Sequence, residues 1–387
     1  MSLAKEDVIL AISALSLAIW LYCVFLRGGY WRGNVTDRIV SAAPPAWPHI
    51  VAVIPARNEA DVIAASLTSL LKQNYPGRFS VVLVDDNSDD ATASIAQALS
   101  GAVAPSVPLT VLCGQPLPEN WTGKLWALHQ GIALTEKDRP DFLLLTDADI
   151  VYEPDVVASL ASLSVERGYV LTSLMAKLRC ESFAERAFIP AFIYFFQMLY
   201  PFFWVNDPRR RIAAAAGGCM LVKADALAAA GGIAAIRDAL IDDCSLASLM
   251  KAQGPIRLSL TERVRSIRTS PKIADIHAMV ARSAYAQLRY SPIWLTLTLA
   301  GMALTYWAPP LIAIFGAGTA WILALTAWAL MSLTFWPTLR FYGLTPFWAP
   351  ALPAIATGYM AFTFSSALQH SLGQGGRWKG RYQAKKV

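Results

Sequence analysis

The 387-residue chain contains no C-x-x-C pair, and its five cysteines (Cys23, Cys113, Cys180, Cys219 and Cys244) are scattered and odd in number. Its four histidines are equally dispersed. Neither a disulfide framework nor a zinc site is expected, which suits a reducing compartment. Also missing is an arginine-rich stripe with interleaved aromatics, so nucleic acid is not an expected partner. Between Ile293 and Leu368 charge all but disappears, Arg340 being the exception. That absence argues against a wholly water-soluble chain.

What is present is apolar and unevenly placed. Hydrophobic residues make up 55% of the sequence, with 13 tryptophans. Val8 to Leu26 is one apolar segment that lacks a small-residue cleavage site and runs into the basic aromatic border Arg27-Gly-Gly-Tyr-Trp-Arg32. This predicts an uncleaved anchor over residues 1–38 rather than a signal peptide. Arg27, Arg32 and Arg38 come after the segment, whereas Lys5, Glu6 and Asp7 before it carry no positive excess. The positive-inside rule then places the chain beyond the anchor in the cytoplasm, and the net charge of +6 suits a protein lying against an anionic bilayer. The C-terminal apolar region, 291–370, is expected to divide near Pro309-Pro310 and again at Arg340-Phe-Tyr-Gly343, giving segments of about 293–308, 311–335 and 347–368. Three crossings would carry the basic tail, 371–387, to the outer side. The same rule therefore favours an even number, with one segment re-entrant or interfacial.

Residues 48–290 have the charge density of an aqueous domain. After a Pro-rich linker, Ile50-Val-Ala-Val-Ile54 reads as a buried strand, with Pro55-Ala-Arg-Asn-Glu59 as the loop at its carboxyl end. Val62 to Gln73 has apolar residues at helical spacing, as a crossover helix should. Ser80-Val-Val-Leu-Val84 is a second strand, ending in Asp85-Asp86-Asn87-Ser88-Asp89-Asp90 before a helix from Ala91 to Leu99. A short strand over Val107 to Cys113 precedes Trp121-Thr-Gly-Lys124 and a helix from Leu125 to Leu134. Leu143-Leu-Leu-Thr-Asp-Ala-Asp-Ile150 reads as a strand covered on both faces that stops at two carboxylates one residue apart. On the last pleat Asp147 and Asp149 can point the same way and offer hard oxygens to Mg²⁺ or Mn²⁺. Taken alone, D-x-D is equally an ordinary strand-ending turn. A parallel sheet brings the acidic loops at Glu59, Asp86 and Asp149 to one edge, where such sheets bind ligands. Lys124, after a glycine at a helix start, stands where backbone amides and the helix dipole favour a diphosphate.

Ile54-Pro-Ala-Arg-Asn-Glu59, Leu83-Val-Asp-Asp-Asn-Ser88, Gly123-Lys124 with Ala127-Leu128, and Thr146-Asp-Ala-Asp149 resemble, in order and spacing, the successive motifs of family 2 glycosyltransferases with the GT-A fold. The resemblance covers about Pro48 to Arg289. The membrane plan is similar to that of ceramide glucosyltransferases, and the detail is most similar to the hopanoid-associated bacterial branch. The resemblance implies an α/β, Rossmann-like nucleotide-sugar-binding domain with N-terminal and C-terminal transmembrane helices. It implies that Pro55, Arg57 and Glu59 line the nucleoside pocket and that Asp86, or else Asp85, contacts the uracil base or ribose. It also implies that Asp147 contacts the nucleotide or its metal, that Asp149 ligates the cation and that Lys124 sits by the diphosphate.

Further along, a helix is expected from Tyr152 to Leu163 and a strand from Tyr169 to Ala176. Phe183 to Val205 is a dense aromatic segment interrupted by Pro190 and Pro201, which predicts an interfacial helix more than a span, with core packing as the plainer alternative. Gly217-Gly218 forms a small-residue turn, and in the family this loop borders the acceptor. Ile241-Asp242-Asp243-Cys244 opens an amphipathic helix ending near Ala252, where helix capping is the simplest role for an Asp. Family 2 enzymes place an acidic pair here, usually Glu-Asp, whose second member is the base. The resemblance thus assigns catalysis to Asp243 and puts Asp242 beside it on the acceptor side. Ala286-Gln-Leu-Arg-Tyr290 resembles the Q/R-x-x-R-W signature, with Ala286 and Tyr290 departing from it. Arg289 is then either a diphosphate clamp or a juxtamembrane anchor.

Together these readings predict a multi-pass protein of the bacterial inner membrane with its catalytic domain facing the cytoplasm. Its expected activity is inverting transfer of a sugar from a nucleotide-sugar, a UDP-sugar first of all, to a membrane-lipid hydroxyl, with a hopanoid as the acceptor the resemblance points to. A processive polysaccharide synthase is the alternative enzyme, but it needs a channel that so few spans hardly supply. A nucleotidyltransferase would open with a Gly-rich, Arg-containing loop, which Pro55 to Glu59 is not. An inactive membrane scaffold would be marked by a lost motif carboxylate, and none is missing.

Overall fold

The computed structural model describes residues 2–39, 41–100, 107–379 and 381–382. An eight-stranded sheet forms its centre. The strands are β1 (Ile50–Ala56), β2 (Phe79–Asp85), β3 (Leu109–Cys113), β4 (Phe142–Leu145), β5 (Ile150–Tyr152), β6 (Leu171–Lys177), β7 (Met220–Lys223) and β8 (Ile256–Ser266), in the spatial order β3-β2-β1-β4-β7-β6-β8-β5. β3, β2, β1 and β4 are mutually parallel, whereas β7 runs antiparallel to both β4 and β6. All seven residues of β1 are buried, as its unbroken apolar run requires of a central strand with both faces covered. The helices α2 (Ile63–Leu71), α3 (Thr92–Leu99), α4 (Gly123–Thr135) and α5 (Val156–Arg167) supply those covers.

The register sets the carboxyl ends of the parallel strands side by side, pairing Ala56 with Asp85 and Val53 with Leu145. The expected single strand over 143–150 is instead two. β4 stops at Leu145, and β5 turns away to pair antiparallel with β8, so Asp147 and Asp149 lie in the turn between strands rather than on a pleat. Tyr152 consequently belongs to β5, and the helix expected from it starts at Val156.

The aromatic segment becomes α6 (Phe183–Leu199), with Pro190 inside it, and α7 (Phe202–Val205). Most of α6 is buried, as the core-packing alternative expects. It is wedged among α10 (Ile273–Ala281), α14 (Gly318–Phe341) and α15 (Leu352–Ser371). Tyr194, fully buried, links Tyr30 (2.9 Å) and Thr334 (2.7 Å) through its hydroxyl and packs edge-on against Phe335. A buried aromatic ring with its polar tip satisfied is a stable arrangement.

Among the described residues four stretches are long and apolar enough to cross a membrane: Lys5–Phe25 in α1 (Ser2–Phe25), Pro292–Phe315, Gly318–Phe341 and Pro346–Ser371. The expected break at Pro309-Pro310 does not occur. α12 (Pro292–Met302) runs through a π turn (Ala303–Trp307) into α13 (Ala308–Phe315). Ala308 donates to Ala303 O five residues back, and the prolines come at the first positions of α13, where a missing N–H matters least. The chain turns at Gly316 to Gly318 instead, Gly318 having a φ of 62°. At the end of α14, Phe341 lies under Lys177 of β6, at the sheet domain. The next segment returns along α14, where Trp328 donates to Pro350 O, and α15 comes back to α10 through His277–Ser365 (2.8 Å). The stretch Pro346–Ser371 therefore begins and ends on the side of the eight-stranded sheet.

Candidate functional site

At the carboxyl edge of β1 and β4 lies a cleft of about 570 Å³, walled on its far side by β6, α6 and α10. Pro55, Glu59, Lys124, Asp147, Asp149, Gly217, Gly218, Asp242 and Asp243 all line it. Asp242 and Asp243 are the first two residues of α9 (Asp242–Lys251), where the helix dipole favours negative charge. The Asp243 carboxylate accepts from its neighbour's N–H at Cys244 (2.7 Å) and from Gly217 N–H (3.2 Å). A Cβ on Gly217 would stand 3.1 Å from Lys124 Nζ and 3.7 Å from Asp147 Oδ2, so any side chain there would intrude on the centre of the site.

Lys124 joins the two acidic motifs. Its ammonium lies 2.7 Å from Asp147 and 2.9 Å from Asp242. Tyr152 donates to Thr146, and Thr146 donates to Gly218 O (2.8 Å), which ties the D-x-D turn to the glycine loop. Across the cleft Asp149 accepts from Ser266 (2.9 Å) and Arg268 (3.0 Å), and Arg268 reaches on to Glu59 (2.7 Å).

These contacts set the protonation chemistry. Burial and then the neighbouring Asp242 charge push the Asp243 carboxyl up to about 6, with Lys124 opposing. Burial alone would raise Asp147 as well, but Lys124, helped by Arg282 and Arg268, holds it below the ordinary carboxylate range. Lys124 is itself kept protonated, because Asp147 and Asp242 outweigh its desolvation. Two neighbouring carboxylates are thus pushed apart by their surroundings: one stays ionised beside a cation, while the other is a stronger proton acceptor.

Three expected site residues do not line the cleft. Arg57 points along the sheet edge and donates to the carbonyls of Asp86 and Asn87, tying the β1 loop to the β2 loop. Asp86 is fully buried behind that bridge. Arg289 is exposed in a turn where it and Tyr290 have φ of 54° and 55°, and Tyr290 stacks on His370, so the turn is held against α15 rather than the cleft. The cations lining the cleft besides Lys124 are Arg179, Arg268, Arg282 and Lys379. Arg268 lies just past β8, a strand missing from the sequence-based expectation, although the alternation in Ile256-Arg-Leu-Ser-Leu-Thr carries its signal. Lys379 has no local signal, and Lys385 and Lys386 of the same basic tail lie outside the described residues.

The acidic pair at 147 and 149 provides two hard oxygen donors. Among the described residues no group of three or more His, Cys, Asp or Glu could hold a metal. A divalent cation held by these two carboxylates would take its remaining ligands from a bound anion and water, as Mg²⁺ commonly does. To serve it, Asp147 would share or release Lys124, and Asp149 would do the same with Arg268.

Residues 51–229 match the Glycosyl transferase family 2 model. The N-acetylglucosaminyltransferase of Rhizobium leguminosarum bv. viciae is 31% identical over 158 residues, which are 39% of this chain and 34% of that protein. That of Mesorhizobium japonicum is 30% identical over 152 residues, 38% of this chain and 34% of its own. The chain thus spans about a third of the length of the curated relatives it matches. Among solved structures, a mannosyltransferase from Pyrobaculum calidifontis, in complex with GDP-Man and Mn²⁺, aligns over 93% of this chain and 98% of its own with a TM-score of 0.56 at 20% identity. Residues 51–229 are thus similar to family 2 glycosyltransferases, and the shared architecture is a GT-A-like, Rossmann-type fold.

Proposed function

We propose that this protein is a membrane-bound inverting glycosyltransferase that moves a sugar from a nucleotide-sugar to a lipid hydroxyl. The observation that carries this reading is the position of Asp243, held by Gly217 and Cys244 at one side of a cleft whose other side presents Lys124 and the D-x-D turn. A hydroxyl entering beside Asp243 gives its proton to that carboxylate while its oxygen bonds to the anomeric carbon. The bond from that carbon to the diphosphate breaks on the opposite face, the nucleoside diphosphate departs with the bonding electrons, and the configuration inverts. Lys124 and Arg282 are placed to offset the charge growing on the leaving group. Asp147 and Asp149 would hold Mg²⁺ or Mn²⁺, which when bound supplies further charge neutralisation there.

A lipid acceptor is supported by the cleft's other wall, where Ile189, Phe192 and Phe196 of α6, with Met175, Leu178 and Met279, present apolar surface continuous with the long apolar helices. A hopanoid or similar polycyclic lipid is the acceptor the family resemblance favours. The names of the curated relatives make UDP-N-acetylglucosamine the first donor to try, and the solved mannosyltransferase adds GDP-mannose. If the apolar helices cross the inner membrane, Pro346–Ser371 is re-entrant, so the chain crosses an even number of times after the catalytic domain.

The test is nucleoside diphosphate release by detergent-solubilised protein with Mn²⁺ or Mg²⁺, those donors and a bacterial lipid extract. Lipid-dependent release with a glycolipid product of inverted configuration is expected. Binding of nucleotide without release on any lipid would favour the inactive scaffold, and a long polymer product would favour a synthase.

A further inference from the structure

The basic tail returns to the cleft. Beyond α15, residues Arg377–Trp378 and Arg381–Tyr382 pair antiparallel as β9 and β10. Lys379 stands in the connecting turn with a φ of 45°. Its ammonium lies 2.9 Å from Glu59 Oε1 and 2.9 Å from the carbonyl of Asn58. Its own carbonyl accepts from Arg57 Nε at 3.3 Å. The turn is therefore fastened to the β1 loop at both its side chain and its backbone. Glu59 is buried and held on both oxygens, by Lys379 on one side and Arg268 on the other.

The result is an alternating row, Lys379–Glu59–Arg268–Asp149, running toward the D-x-D turn. A lysine ammonium has three donors, and among the described residues two acceptors, Glu59 and the Asn58 carbonyl, engage it, so its third donor can serve a ligand. The cleft's charge leaves room for that use. Among the described residues its lining carries six carboxylates (Glu59, Asp147, Asp149, Asp242, Asp243 and Asp275) against five cations, Lys379 included. Without Lys379 the count is six to four, a poor setting for a dianionic diphosphate.

Given a nucleotide-sugar donor in this cleft, as proposed above, we infer that Lys379 is a donor-binding residue contributed by the tail, its ammonium taking a phosphate oxygen of the nucleoside diphosphate. Glu59, shared with Arg268, positions that ammonium. A point charge that can rotate its three donors suits a phosphate oxygen arriving beside an existing carboxylate partner.

The experiment is equilibrium binding of UDP, GDP and uridine to the full-length, detergent-solubilised protein with Mn²⁺, comparing wild type, Lys379→Ala and Lys379→Arg. Lys379→Ala should weaken binding of the diphosphate by about tenfold and leave uridine unchanged, while Lys379→Arg stays within about threefold of wild type. Diphosphate affinity that is unchanged in Lys379→Ala overturns the inference, and so does tighter affinity, which would make the tail a competitor of the donor. Equal loss for UDP and uridine also overturns it, because Lys379 would then act only by supporting Glu59. Should wild type bind neither UDP nor GDP, the glycosyltransferase reading itself fails; binding by wild type with no change in the variants defeats only the role of Lys379.

Discussion

In the parallel half of the sheet, β1, β2 and β4 each deliver an acidic residue within a few positions of their own ends: Glu59 after β1, Asp86 after β2, Asp147 and Asp149 after β4. The mixed half, with the helices packed on it, works differently. Its contributions are counterions from far along the chain: Arg268 lies 209 positions from Glu59 and 119 from Asp149, while Lys379 arrives from beyond the last apolar helix. Carboxylates in the first half are local features of strand endings, and the groups that tune them are not. Among the cleft residues of the mixed half, Asp242, Asp243 and the glycine loop carry the clearest local patterns.

The comparison breaks most sharply at Asp243. Asp243→Asn should lower turnover by about 10³-fold while donor affinity changes little, because only the proton acceptor is removed. Measuring nucleoside diphosphate release beside nucleotide binding separates the two, and comparable losses in both would reassign Asp243 to donor binding. Next in size is a change remote from the cleft. Phe335, fully buried against Tyr194, should cost about 3 kcal/mol or more of stability as Phe335→Ala, read as a lowered Tm, with donor affinity intact. A shifted Kd in a still-folded variant would mean that the helical layer tunes the donor half.

Lys124→Ala cuts the link between the two acidic motifs and is expected to reduce kcat/KM by about 10²-fold. It also tests the electrostatics by sign. The base works unprotonated, so the wild-type rate should fall roughly tenfold per pH unit below about 6, where burial and Asp242 have pushed the Asp243 carboxyl. Lys124 favours the ionised form, so its removal should move that acid limb to higher pH. An unmoved limb would detach the limb from Asp243. The smallest contrast is between two arginines. Arg282→Ala, in the cleft, should cost about tenfold in diphosphate affinity, whereas Arg289→Ala, exposed in its turn, should stay within about twofold. The reverse ranking would restore the diphosphate clamp to Arg289.

These contrasts run along the line between the legible and the illegible parts of the sequence. The apolar runs of β1, β2 and β4 mark buried strands, and the acidic residues after them mark one edge, because a parallel sheet aligns strand ends whatever lies between. Asp147 and Asp149 carry the same signal, though the chain turns before them and not after. Arg57 and Asp86 carry an equally good pattern, yet they bind the two loops to each other. Spacing along a chain does not reveal whether a side chain turns toward the cleft or back against a neighbouring carbonyl. Pro309-Pro310 looks like a break for a related reason: a π turn just ahead of the prolines absorbs the lost hydrogen bonds, and nothing in the local residue types announces it.

By itself the sequence determined the buried strands β1 and β2 and the helices after them, the acidic residues at the strand ends, the long apolar helices and the Asp242-Asp243 helix start, since each depends on neighbours a few residues apart. Only the tertiary structure decided which cations those carboxylates meet, that α6 is a buried wedge, and that Lys379 stands beside Glu59. Those outcomes depend on charges and surfaces brought together from distant positions, where burial and Coulomb attraction act through space and leave no period or spacing in the chain.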